Sequence, residues 1–192
     1  MTRQREEYQS TDFSFSRFLV PWLCGYEGQA IFMDCDMLMR ADIADLMDNF
    51  DNRYAVQVVK HDYPVKMENK FLDQPQSLYQ KKNWSSVMLF NNDRCRKLTP
   101  QYVNEATGLM LHQFKWIEES EIGEISKHWN YLVGEENQCP LVDARLIHYT
   151  QGTPCFKKYS QGAAAQLWYQ EKNKMLYHNP VGEFSRELRT GT

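Results

Sequence analysis

Apolar residues in this 192-residue chain fall into short groups whose spacing switches between helical and extended patterns. Phe15, Phe18, Leu19, Trp22 and Leu23 recur at three- and four-residue intervals between Ser10-Thr11-Asp12 and Gly25, which predicts one helix with capping residues before it and a glycine stop after it. Pro21 inside that pattern removes a backbone donor and predicts a bend or an early end. The unbroken apolar run at 30–33 reads as a buried strand, and 41–50 as a short helix whose Asp42, Asp45 and Asp48 share the solvated side. Residues 54–59, rich in β-branched and aromatic side chains, read as a second strand. The polar stretch 63–82, with Pro64 and Pro75, is too long for a tight connection and reads as a loop that could act as a lid. Strand character resumes at 83–91, where small polar residues would let a ligand approach the backbone. Thr99-Pro100 opens a helix expected to run to 109–111. The apolar run 146–150 ends in a turn at 151–154, 159–177 reads as a helix, and 179–192 as a frayed tail. Strands interleaved with helices make this an α/β chain.

One position breaks the hydrophobic pattern in an informative way. The run Ala30-Ile31-Phe32-Met33 passes directly into Asp34-Cys35-Asp36, and apolar residues resume at Met37. An ionised carboxylate at the edge of a core costs several kcal/mol unless it is paired, hydrogen-bonded or coordinated to a cation. Two residues apart on an extended chain, the two carboxylates point the same way and Cys35 points the other. They could therefore share one divalent ion, and oxygen ligands suit Mg2+ or Mn2+. The sequence places them at the carboxyl end of a strand expected to be parallel, where open α/β sheets bind their ligands.

Composition narrows the field. A net charge of −3 with no basic run longer than Lys81-Lys82 or Lys157-Lys158 gives no reason to expect a nucleic-acid surface. Five cysteines, an odd number without close pairs, argue against a disulfide framework and a zinc cage, so a reducing, cytoplasmic setting is expected. Residues 1–11 read as a polar lead-in, so no signal peptide is expected there, and no run is long and apolar enough to span a bilayer. The length suits a single domain, 1–192.

Five pieces carry a family resemblance: residues 13–21, 32–38, 83–91, His128-Trp129-Asn130, and 146–150. In this order and over about 10–156, the chain resembles the glycosyltransferases of family eight and their bacterial relatives. The resemblance implies a GT-A-type, Rossmann-like mixed sheet flanked by helices, with the catalytic region at 12–156 and a C-terminal helix and tail at 157–192. It implies transfer of a sugar, with retention, from a nucleotide-diphosphate donor, UDP-sugars being the usual case, to a hydroxyl acceptor. By position, Asp34, Asp36 and His148 would hold Mn2+ (or Mg2+), whose charge would offset that growing on the leaving phosphate. Arg17, Asp34, Ser85 and His112 would line the donor sugar, Gln113 would position the reacting carbon, and Lys157 or Lys158 would reach the phosphates.

The chain also departs from that pattern. His112-Gln113-Phe114 stands where many members have Asp-Gln-Asp, and Thr153-Pro154-Cys155-Phe156 replaces a Lys-Pro-Trp run. The family's opening strand, helix and strand, which hold the base and ribose, have no counterpart, so an N-terminally truncated domain is expected, with an exposed sheet edge. Two alternatives follow: a fragment that binds a metal or sugar nucleotide without turnover, and a phosphatase of the haloacid-dehalogenase type. The latter normally carries Thr or Val two residues after the second Asp, where this chain has Leu38.

Overall fold

The computed structural model describes Arg3 and residues 13–61, 81–135 and 138–178. The expected capping residues 10–12, most of the expected lid at 63–82 and the expected frayed tail lie outside these described residues. The chain divides into two compact units, Met1–Gln151 and Gly152–Thr192.

The first unit is built on two sheets. In the larger, β1 (Gln29–Met33), β4 (Val87–Asn91), β3 (Val56–Val58) and β5 (Ile122–Glu124) lie in the order β1-β4-β3-β5. β4 is antiparallel to both β1 and β3, and β3 is parallel to β5, so the sheet is mixed. The parallel neighbour expected for β1 is thus corrected: its partner among the described residues is antiparallel. Residues local to β1 carry no information about which strand will pair with it. In the smaller sheet, β2 (Met37–Met39) pairs antiparallel with β7 (Leu146–His148), which pairs parallel with β6 (Tyr131–Leu132).

Both faces of the larger sheet are covered, which explains why its strands read as continuous apolar runs. On one face Met88 and Phe90 of β4 and Val56 and Val58 of β3 pack with Phe15, Phe18, Val103, Leu111, Phe114 and Trp116. On the other, Val87 and Leu89 pack with Leu46, Ile125, Trp129 and Leu146, the last carried by β7 of the smaller sheet.

The helices are shorter than the spacing predicts. The segment around Pro21 is a 3-10 turn, Ser16–Leu19, followed by one turn of α-helix, α1 (Val20–Leu23). Pro21 sits in the first turn of α1, where a missing N–H costs nothing because it would have no partner there. α2 (Ile43–Met47) is capped by Asp42, whose side chain accepts from the Ala44 N–H, and Asp42, Asp45 and Asp48 are exposed as expected. The helix expected from Thr99 to 109–111 is two helices, α3 (Pro100–Glu105) and α4 (Gly108–His112). Thr107 accepts from the Met110 N–H as a fresh cap, so the chain turns extended at Ala106 and restarts.

In the second unit a 3-10 turn, Lys157–Tyr159, precedes α5 (Ala165–His178). Gly152 has φ +150°, and a Cβ there would fall 2.3 Å from the Tyr159 ring, so both backbone and space require glycine.

Candidate functional site

Asp34-Cys35-Asp36 is the link by which the chain leaves the larger sheet and enters the smaller one. The Asp34 N–H donates to the Ser86 carbonyl at 3.0 Å, continuing the β1–β4 ladder one residue past β1. Asp36 is held from the other side, its carbonyl accepting from the Tyr149 N–H at 2.9 Å. The β2–β7 register then sets Met37 opposite His148, which brings the imidazole up to the two acids. His148 Nε2 lies 3.2 Å from an Asp36 carboxylate oxygen and 4.0 Å from one of Asp34, and one potential ligand atom from each residue falls within 4.8 Å of the others. The carboxylates are about one-fifth exposed and His148 is buried, while Cys35 between them is exposed. The expected alternation of side chains therefore survives even though 35–36 is a turn.

Arg17, on the 3-10 turn before α1, clamps Asp34. Its Nη2 is 2.7 Å from Asp34 Oδ1 and its Nη1 3.3 Å from Oδ2, while Nη1 also donates to the Ser85 carbonyl at 2.8 Å. The guanidinium lies over the Phe32 ring at 4.8 Å, so an apolar face supports it. Two-point contact fixes the carboxylate plane in a way a lysine could not. Ser85 continues the chain of contacts: its Oγ and His112 Nδ1 are 2.8 Å apart. The His112 ring meets Phe18 edge-on at 5.2 Å and Phe15 at 5.8 Å.

Six of the residues singled out from sequence, Arg17, Asp34, Asp36, Ser85, His112 and His148, are thus joined by direct contacts in the first unit. Gln113 follows His112 as the residue ending α4, and its carbonyl accepts from Lys81 Nζ at 3.2 Å. Lys157 and Lys158 belong to the second unit, exposed on its 3-10 turn.

The turn preceding β4 is the common support of these groups. Asn83 takes a left-handed conformation, φ 63°, which asparagine tolerates better than most residues, and starts the 3-10 turn Trp84–Ser86. The carbonyl of Ser86 holds Asp34, that of Ser85 holds Arg17, and that of Asn83 accepts from Asn130 Nδ2 at 3.4 Å. Asn130 in turn places its Oδ1 3.0 Å from His148 Nδ1. Sequence reasoning gave Asn83 and Asn130 no site role of their own, although both lie in pieces that carry the resemblance, because the burial of a single asparagine leaves no periodic trace. His61, buried just past β3, was also passed over. Its pKa falls from the ordinary 6.5 to about 3, chiefly through burial, with His148 and Lys127 adding to the effect, so its ring is neutral.

Three electron-rich atoms converge in a half-buried site, and two carboxylate oxygens with an imidazole nitrogen form a group that could hold a metal ion. No family model matches the chain. Protein CDI of Arabidopsis thaliana is 42% identical over 182 residues, covering 92% of this chain and 70% of that protein. The chain belongs to the family of Protein CDI. Among solved structures, the apo form of GlyE, a glycosyltransferase of Streptococcus pneumoniae TIGR4, matches with TM-score 0.56 at 15% identity, over 88% of this chain and 44% of GlyE. The galactosyltransferase LgtC, solved with donor and acceptor sugar analogs, matches with TM-score 0.52 at 12% identity, over 86% of this chain and 68% of LgtC. The apo bifunctional glycosyltransferase WbbM gives 0.53 at 13% identity, and the chain spans only 38% of its length. At these identities the likeness establishes the fold: this CDI-family chain has the GT-A architecture of glycosyltransferases, a mixed sheet flanked by helices. No helix among the described residues is long and apolar enough to cross a membrane.

Proposed function

We propose that the chain carries the catalytic region of a family-eight-type glycosyltransferase, moving a sugar from a nucleotide-diphosphate donor to a hydroxyl acceptor with retention. The observation that carries this reading is the convergence of Asp34, Asp36 and His148 where β1 ends, with Arg17 locked onto Asp34. Mn2+ bound by these three would offset the negative charge that develops on the departing diphosphate. The chain's own residues do the remaining work. Arg17 holds the Asp34 carboxylate in one plane beside the donor sugar. The Ser85 hydroxyl and the His112 ring, coupled at 2.8 Å, face the sugar hydroxyls where relatives have a carboxylate. Gln113 positions the reacting carbon, being too weak a nucleophile to attack it. A phosphatase in which Asp34 attacks phosphorus fits less well, because Arg17 engages both of its oxygens.

Calorimetric titration of UDP into the purified chain, with and without Mn2+, tests the reading. Binding that requires Mn2+ is expected, followed by screening of UDP-sugars. No binding in either condition, from a chain folded by circular dichroism, would favour the non-catalytic alternative.

A further inference from the structure

We infer that Asn130 is the positioning residue of the cation site: it fixes His148 in the tautomer that leaves the Nε2 lone pair facing Asp34 and Asp36. This rests on reading those three residues as a cation site. Asn130 is fully buried, and burying an amide without partners is costly, so its two contacts define its role. The orientation of an amide is settled by what surrounds it. On one side lies the Asn83 carbonyl, 3.4 Å away, which can only accept, so the NH2 group must face it. The amide oxygen is thereby turned to His148 Nδ1 at 3.0 Å. An amide oxygen also only accepts, so Nδ1 must carry a proton. A neutral imidazole with its proton on Nδ1 has its lone pair on Nε2, and that atom points between the carboxylates, 3.2 Å from Asp36 and 4.0 Å from Asp34. This is the opposite of the tautomer that a free imidazole side chain prefers in water.

The flipped amide would set two carbonyl oxygens 3.4 Å apart and let Nε2–H donate to Asp36, closing the site as a plain hydrogen bond. The left-handed turn at Asn83 is what opposes that flip, because it presents the carbonyl to Asn130. Outer partners of this kind orient ligating imidazoles and are commonly worth about 10- to 100-fold in metal affinity.

The test is 15N NMR of the histidine rings in the metal-free chain at neutral pH, the His148 signal being assigned by its loss in His148→Gln, together with calorimetric titration of Mn2+ alone. In the native chain Nδ1 is expected to carry a proton; a ring whose Nδ1 lacks one overturns the inference without need of any Asn130 variant. Asn130→Leu is expected to move the proton to Nε2 and weaken Mn2+ binding by about 10- to 100-fold. Asn130→Asp keeps an acceptor for Nδ1 but loses the donor to the Asn83 carbonyl, so the ring proton is expected to stay on Nδ1, a retention that a merely structural role would not produce. Native Mn2+ affinity in the leucine variant, or an Nδ1 without its proton in the aspartate variant, overturns the role. A native chain that binds no Mn2+ overturns instead the cation reading beneath it, and the ring signal tells the two failures apart.

Discussion

β1 and β4 lie side by side, residue against residue from Gln29–Asn91 to Met33–Val87, and their sequences, Gln-Ala-Ile-Phe-Met and Val-Met-Leu-Phe-Asn, are similarly apolar. Their surroundings differ. Val87 to Phe90 are all buried, whereas β1 is exposed at Gln29 and half-buried along the rest. Position in the sheet makes the difference, since β4 has a strand on each side and β1 ends the sheet among the described residues. The antiparallel register adds a functional consequence. It sets the amino-terminal turn of the buried strand against the carboxyl end of the half-buried one, so residues 83–86 hold Asp34 and Arg17 in place from a rigid base. Chemistry is gathered at the strand with solvent access, and stability resides in its neighbour.

The comparison is broken most forcefully from the buried side. Phe90 is fully buried, and Phe90→Ala should lower the unfolding free energy by about 3–5 kcal/mol through lost transfer energy and the cavity left behind. Urea denaturation measures this. A loss near 1 kcal/mol would mean that β4 is not the stabilising strand.

The complementary change is Asp34→Asn with Asp36→Asn at the end of β1. It should weaken Mn2+-dependent UDP binding at least 100-fold, about 2.7 kcal/mol, in calorimetry. Stability should move by only about 1 kcal/mol, because two facing carboxylates no longer repel and Arg17 keeps its bond to the Ser85 carbonyl. Undiminished binding in the double variant would remove these carboxylates from the site.

The same contrast accounts for what sequence could and could not disclose. Asp34 and Asp36 were legible because charge interrupting an apolar run two residues apart is a local pattern, and His148 followed from the order of matching pieces. β2 was not, since Met37–Met39 is three half-buried residues with no alternation, made a strand only by pairing with β7. The division between α3 and α4 was hidden because Thr107 interrupts an apolar spacing without spoiling it. Asn83 and Asn130 escaped for a deeper reason: their roles exist only through contacts spanning 47 and 18 positions. Partner choice is tertiary information, which is also why the antiparallel neighbour of β1 was unforeseen.

His61 sharpens the contrast in a pH-dependent way. With its folded pKa near 3 and an ordinary value of 6.5, the unfolded chain binds a proton between those limits and the native chain does not. Its stabilising contribution is therefore complete above pH 6.5 and is lost as pH falls toward 3, at a limiting slope of about 1.4 kcal/mol per pH unit. His61→Gln cannot titrate, so unfolding free energy between pH 6.5 and 5, before the carboxylates intervene, should vary less in the variant. Identical pH profiles would show that His61 is protonated alike in both states.

The smallest expected effect is the most discriminating for β1. Phe32 is half-buried, so Phe32→Ala should cost only about 1 kcal/mol of stability, well below the Phe90 change two positions along the neighbouring strand's register. Its ring, however, supports the Arg17 guanidinium at 4.8 Å, and Arg17 orients Asp34. Removing that support should loosen the clamp and weaken Mn2+-dependent UDP binding several-fold, on the order of 1 kcal/mol for a lost cation–π contact. Binding and stability measured on both phenylalanine variants separate the two strands. If Phe32→Ala costs as much stability as Phe90→Ala and leaves binding unchanged, β1 is an ordinary core strand and the site does not depend on its exposed position.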